Sequence, residues 1–250
     1  MAIISYTNAE QQGEELCGGN IYVKKPIGLP EDEGLLKSYS NLFYWAHIRT
    51  DMGGEINDQS FKGFDILTFV LHGEIEYYDS IYQGWRKLNK GDMQVVKSGS
   101  GFIRSERFMP GTSLLRIWVD PNLDISLKQH ASSRDYASDL FPVDSLEGIS
   151  TKLYLEPGSA AEIENSRLTV KEIDLSEGQH LYTPGTDLFV SGFVLEGELK
   201  IKNFTLRPLD FFIAKEEAAL QIEVLNDCRI FVVESPVDPG YPTYAGRFVM

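Results

Sequence analysis

The heptapeptide Phe69-Val70-Leu71-His72-Gly73-Glu74-Ile75 returns as Phe193-Val194-Leu195-Glu196-Gly197-Glu198-Leu199, with five of seven positions identical. A second matched stretch follows each copy at a comparable distance: Leu88-Asn89-Lys90-Gly91-Asp92-Met93 after the first, Leu206-Arg207-Pro208-Leu209-Asp210-Phe211 after the second. Two copies of one unit, offset by about half of the 250 residues, imply a duplicated domain.

The unit is β in character. The apolar run Ile66-Leu67-Thr68-Phe69-Val70-Leu71 is closed by His72-Gly73, and polar/apolar alternation resumes at Glu74-Ile75-Glu76-Tyr77-Tyr78, a hairpin pattern. Similar runs lie at 41–47, 93–96, 113–119, 168–173, 188–195, 211–213, 220–224 and 229–234. Many short strands at close spacing indicate barrels or sandwiches. The expected fold is therefore all-β, with a first barrel and an N-terminal extension over 1–121 and a second barrel and tail over 166–250. Residues 122–165, with Pro121 just before them, Pro142 and Pro157 inside them and many Ser and Asp, read as a connection with some local structure. The Pro- and Gly-rich tail Val237–Tyr244 suits the surface or the other barrel better than a central strand.

Charge narrows the function classes. With 23 Lys+Arg against 37 Asp+Glu, the net charge of -14 repels a polyphosphate, so direct nucleic-acid binding is disfavoured. Cys17 and Cys228 have no metal-type spacing and form no disulfide framework, which suits a reducing compartment. The first ten residues lack a basic segment followed by an apolar one, and nowhere do about 18 apolar residues run together. A cytoplasmic protein without membrane contact is expected.

The stretch Phe61-Lys62-Gly63-Phe64-Asp65 through Ser80, followed in order by Lys90-Gly91-Asp92-Met93-Gln94, Ser98-Gly99-Ser100-Gly101-Phe102-Ile103-Arg104-Ser105-Glu106 and Ile117-Trp118-Val119-Asp120-Pro121, resembles the pirin family. The resemblance is strong from Asn41 to Pro121 and elsewhere rests on the repeat. It implies a bicupin, two tandem antiparallel jelly-roll barrels. It also implies a non-haem iron in the first barrel, held by three histidines and a carboxylate. Some members of that family act as quercetin dioxygenases and others as cofactors of transcription.

This chain departs from the family pattern at the metal ligands. Where the family reads His-Pro-His-Arg-Gly-Phe-Glu, it has Gln59-Ser60-Phe61-Lys62-Gly63-Phe64-Asp65, and the later His and Glu positions are Arg104 and Glu106. One ligand of four survives. Phe61 cannot coordinate and Arg104 is a permanent cation, so no cofactor is expected, with iron kept as the family alternative.

Arg104 and Glu106 lie two apart, so an extended segment turns both to the same side, which by resemblance is the barrel interior. Two readings stay open: a salt bridge plugging an abandoned site, or Arg104 binding the carboxylate or phosphate of a small ligand while Glu106 orients it or moves a proton. Gln59 and Phe61 line the pocket mouth or merely fill the core, and Asp65 is either a second acid or an outward hairpin charge. His47, His72, His130 and His180 do not pair at ligand spacing. Projecting Gln59 and Phe61 through the repeat lands on Thr183 and Gly185, so the second barrel is expected to lack ligands too.

The expectation is a pirin-like bicupin with a degenerate first-barrel metal site, not a conventional iron dioxygenase. It would be non-catalytic, binding a small anionic or polar molecule through Gln59, Phe61, Arg104 and Glu106 or interacting with a protein partner in a regulatory role. The rivals are a quercetinase-type dioxygenase and a metal-free isomerase or lyase using Arg104 and Glu106.

Overall fold

A computed structural model describes residues 3–161, 163, 167–215, 218–244 and 246. Among them are twenty strands and a single four-residue α-helix, Leu123–Ser126, and every strand pairing is antiparallel. No helix in this part of the chain is long and apolar enough to cross a membrane. The fold is an all-β bicupin. Two compact units are present, and neither is one continuous stretch: one takes the described residues of Gln12–Leu140 and Gly240–Met250, the other those of Met1–Gln11 and Phe141–Pro239.

The first unit has two sheets. The larger runs in the order Ser132–Tyr136, Met93–Lys97, Asp65–His72, Thr112–Val119, Leu42–Thr50, Ile21–Ile27, Gly13–Cys17, and the smaller in the order Gly54–Phe61, Phe102–Phe108, Glu74–Asp79, Gly84–Asn89. Val70, Leu114, Ile48 and Val23 from the larger sheet pack with Ile75, Tyr77, Leu88 and Phe108 from the smaller to form the core. The tail contributes as well, with Tyr244 edge-on to Phe43 and Phe64 and the Tyr241 hydroxyl donating to the Asp120 carbonyl at 2.8 Å.

The second unit repeats the plan with longer strands. Leu188–Ile201 and Leu220–Pro236 pair along most of their length, flanked by Phe211–Lys215 on one side and Thr169–Leu175, Ile149–Leu155 and Val143–Leu146 on the other. The stretch 122–165 thus holds more than a connection: Ser132–Tyr136 is an edge strand of the first unit, and Val143–Leu155 is a hairpin of the second. The boundary expected at 165–166 lies outside the described residues.

The repeat marks matching turns. Asp92 accepts from the Asn89 amide at 2.8 Å and from the Ser138 amide at 2.9 Å; Asp210 accepts from the Arg207 amide and the Ala9 amide, each at 2.9 Å. Each aspartate therefore closes its own turn and pins the segment after an accessory strand, Ser132–Tyr136 on Met93–Lys97 and Ile3–Thr7 on Phe211–Lys215. That equivalence explains why the first strand of the chain belongs to the second barrel. Both thiols are free; burial pushes Cys228 up to about 12, and burial with the Glu15 carboxylate pushes Cys17 up to about 11, so neither is a thiolate at neutral pH.

The repeated glycines, Gly73 and Gly197, adopt φ of +69° and +80°, a region that costs a residue with a Cβ about 1–2 kcal/mol. At Gly197 a Cβ would also lie 2.2 Å from the Asp227 carbonyl oxygen. Gly197→Ala is therefore expected to lower stability by more than about 2 kcal/mol, and Gly19→Ala, at φ +79° with open space around it, by only about 1 kcal/mol. Urea unfolding midpoints of the two variants check the difference.

Candidate functional site

On the strand Phe102–Phe108, alternation places Phe102, Arg104, Glu106 and Phe108 on one face, and all four are buried. Glu106 is fully buried, 0% exposed. Its Oε1 accepts from Arg104 Nε at 2.7 Å and from Arg116 Nη2 at 2.5 Å, and its Oε2 accepts from Arg116 Nη1 at 2.8 Å. Arg104 comes from the same strand, whereas Arg116 comes from Thr112–Val119 in the larger sheet. The cluster thus ties the two sheets together across the interior. Arg116 was not singled out from the sequence, although one charge inside Leu114-Leu115-Arg116-Ile117-Trp118-Val119 is a signal that a charge is being buried with a partner.

Neutral groups carry the network outward. Arg104 donates from Nη1 to Gln94 Oε1 and lies over the Tyr77 ring, 4.3 Å from its centroid. Gln94 Nε2 and the Tyr77 hydroxyl both donate to Asp135 Oδ1 at 2.7 Å, and Arg86 Nη2 lies 3.3 Å from Asp135 Oδ2. Asp135 therefore acts on Arg104 only through Gln94 and Tyr77. It sits on the edge strand Ser132–Tyr136, in the stretch read from sequence as a connection.

The other expected site residues fall around this cluster. Gln59 is half-buried directly across from Arg104 in the strand register, and its Oε1 is buried without a hydrogen-bond partner among the described residues. Phe61 faces Phe102 with ring centroids 5.3 Å apart and meets the Trp118 ring edge-on at 5.6 Å, so it is wedged into an aromatic wall. Asp65 is buried, opposite Lys97 and Val119, rather than an outward hairpin charge. His47 is buried with Nε2 at 2.8 Å from Ser113 Oγ, and burial with Arg49 and Lys24 nearby lowers it to about 4, so it is neutral at pH 7. Among the described residues no three His, Cys, Asp or Glu side chains converge to hold a metal ion.

Register also corrects the projection into the second barrel. Gln59 pairs with Arg104, two positions before Glu106, which pairs with Tyr77; in the second barrel Ile201, the repeat equivalent of Tyr77, pairs with Ile222, which puts Leu220 at the Arg104 position and its partner Tyr182 at the Gln59 position. The residue matching Gln59 is Tyr182, not Thr183. The offset fails because the loop after the strand is longer in the second copy, 183–187 against 62–64.

Removing a carboxylate and two guanidinium groups from water costs several kcal/mol per ion, and only close, well-directed contacts offset that. Burial alone would raise the Glu106 carboxyl; Arg116 and Arg104 outweigh it and hold it at about 2. Because the folded-state value lies below the ordinary 4.5, the stabilisation is complete above about pH 4.5 and is lost as pH falls toward 2. Glu106→Gln leaves two buried cations without their anion and is expected to cost about 3–5 kcal/mol at neutral pH. Chemical unfolding at pH 7 and at pH 3 checks both statements: the gap between wild type and variant must narrow at the lower pH.

Residues 35–119 match the family model described as Pirin. A Pseudomonas aeruginosa protein named "Putative quercetin 2,3-dioxygenase" is 28% identical over 208 residues, covering 76% of this chain and 70% of that protein. A pirin-like protein of Caulobacter vibrioides is 25% identical over 214 residues, covering 80% and 76%. The structure of the bacterial pirin YhhW from Escherichia coli in complex with nickel(II) superposes with a TM-score of 0.76 at 20% identity, covering 94% of this chain and 99% of that one. A quercetin 2,3-dioxygenase from Acinetobacter baumannii gives 0.76 at 19% identity, covering 94% and 87%. The chain thus carries a match to the Pirin family over residues 35–119, and along most of its length it is similar to pirin-like proteins and shares their fold.

Proposed function

We propose that an arginine–glutamate–arginine cluster stands in the first barrel where pirin relatives hold a metal, and that the protein is a non-catalytic, regulatory binder of a small anionic or polar molecule, or of a protein partner. One observation carries the reading: both carboxylate oxygens of the buried Glu106 are taken by guanidinium donors.

The residues do not fit a metal ion. Glu106 would have to release Arg104 and Arg116 to coordinate, and those two cations would then repel the metal. Phe61 has no lone pair to offer, which leaves the amide oxygen of Gln59 as a weak neutral donor.

A small ligand suits the polar atoms better. Two guanidinium groups against one carboxylate leave the buried cluster with net positive charge. Arg104 Nη2 and Arg116 Nε are buried donors without a partner among the described residues, as are the potential acceptors Gln59 Oε1 and Thr68 Oγ1. Gln59 stands opposite Arg104, and Thr68 opposite Arg116, so the four belong to one neighbourhood. A compact anion or polar molecule would satisfy groups whose desolvation is otherwise uncompensated.

The names of the dioxygenase relatives favour a second reading, oxygen-dependent cleavage of a flavonol at a metal held by Glu106. Elemental analysis of protein produced with added iron, and separately with added nickel, decides between the two. The proposal expects metal far below one ion per chain and no turnover of quercetin. Near-stoichiometric metal that disappears in Glu106→Ala would overturn it in favour of the dioxygenase.

A further inference from the structure

The interior of the second barrel is filled differently. Where the first has Arg104, Glu106 and Arg116, the corresponding strand Leu220–Pro236 carries Leu220, Ile222 and Val232, each buried. Between that strand, Ile149–Leu155, Thr169–Leu175 and Gly178–Tyr182 lies a cavity of about 140 Å³. Its wall is mainly aliphatic, formed by Ile149, Ile173, Leu175, Ile222 and Ile230. Thr151, Lys171, His180 and Tyr182 supply the polar groups. Ile222 is the register equivalent of Glu106 and Tyr182 that of Gln59, so this cavity borders in the second barrel the place that the ion cluster occupies in the first.

Size and charge define the occupant. A cavity of roughly 150 Å³ lined by aliphatic and aromatic side chains accommodates one benzene ring. The Lys171 ammonium lies 3.7 Å from Glu234 Oε1, and the Tyr182 hydroxyl donates to that same oxygen at 2.6 Å. Glu234 therefore already balances the charge of Lys171, and a second anion would enter a mainly aliphatic cavity beside a buried carboxylate, with no second Lys or Arg among the described residues that line it. Glu172 and Asp174 alternate to the opposite face of their strand, where Arg229 holds them at 3.4 and 2.6 Å. A neutral oxygen fits instead, because Lys171 carries three donors and its contact with Glu234 is long.

We propose that the second barrel is a binding site for an uncharged, single-ring compound bearing one hydroxyl or carbonyl, with phenol the simplest member. The ring lies against Ile173, Ile222 and Ile230, and its oxygen accepts from Lys171. The mouth is beside Leu181, which is 61% exposed. The site is independent of the first-barrel reading and stands whatever the metal analysis returns.

Amide chemical-shift titration of the full-length chain tests the site, with phenol, benzoate and toluene as probes. Phenol is expected to shift the amides around Ile149, Lys171 and Ile222 saturably, and benzoate to bind at least about tenfold more weakly. Thr151→Phe, on a half-exposed part of the wall, fills the cavity and abolishes the phenol shifts while the rest of the spectrum stays dispersed. Lys171→Met keeps the cavity's shape and weakens phenol about fivefold or more, with toluene unchanged within about twofold. Phenol shifts absent from these amides, or retained in Thr151→Phe, overturn the site. Benzoate binding as tightly as phenol, or a Lys171→Met variant that binds phenol like wild type, overturns the assigned ligand class.

Discussion

Glu106 sits at zero exposure in the middle of the first barrel with a guanidinium group on each of its oxygens, one from each sheet. An isolated carboxylate could not remain ionised there, and two isolated arginines could not be buried there at all. Each charge is admissible only because the others are present, so the cluster makes its three members interdependent. The surroundings follow from it. Tyr77 must offer its ring face to Arg104, Gln94 must turn its carbonyl inward, and Asp135 must stand behind both to accept their remaining protons. The edge strand that brings Asp135 is thus part of the interior chemistry as well as of the sheet.

The two barrels show how one architecture accepts opposite solutions to the same interior. Both use the glycine bend, the aspartate-closed turn and an accessory strand on the same neighbour. One fills the space between its walls with ions and the other with leucine, isoleucine, valine and a small cavity beside the Lys171–Glu234 ion pair. Shared backbone plan therefore carries no shared chemistry, because ligand recognition depends on which inward positions are charged.

Much of this was legible. The repeat marked the duplication, since a matched heptapeptide and a matched turn at similar spacing required one β unit used twice. Strand alternation put Arg104 and Glu106 on one face, and they meet at 2.7 Å. Arg116 was passed over because a lone arginine in an apolar strand names no partner until the opposite sheet is known. Asp135 was hidden in a Ser- and Asp-rich stretch whose short edge strand lacks a sheet's hydrophobic pattern. Tyr182 was missed because a longer loop shifts the register while the sequence offset stays silent about it.

Sequence by itself determined the class of fold, the duplication, and the placing of Arg104 and Glu106 on one face of a strand. These are local properties: side-chain type, alternation and turn chemistry are written within a few residues of one another. Tertiary structure alone decided that Arg116 completes the cluster, that Asp135 supports it, that the first strand belongs to the second barrel, and that Lys171 and Glu234 meet beside a cavity. Those contacts join residues far apart in the chain, and the energy that fixes them comes from burial and charge compensation between sheets, which no single stretch of sequence contains.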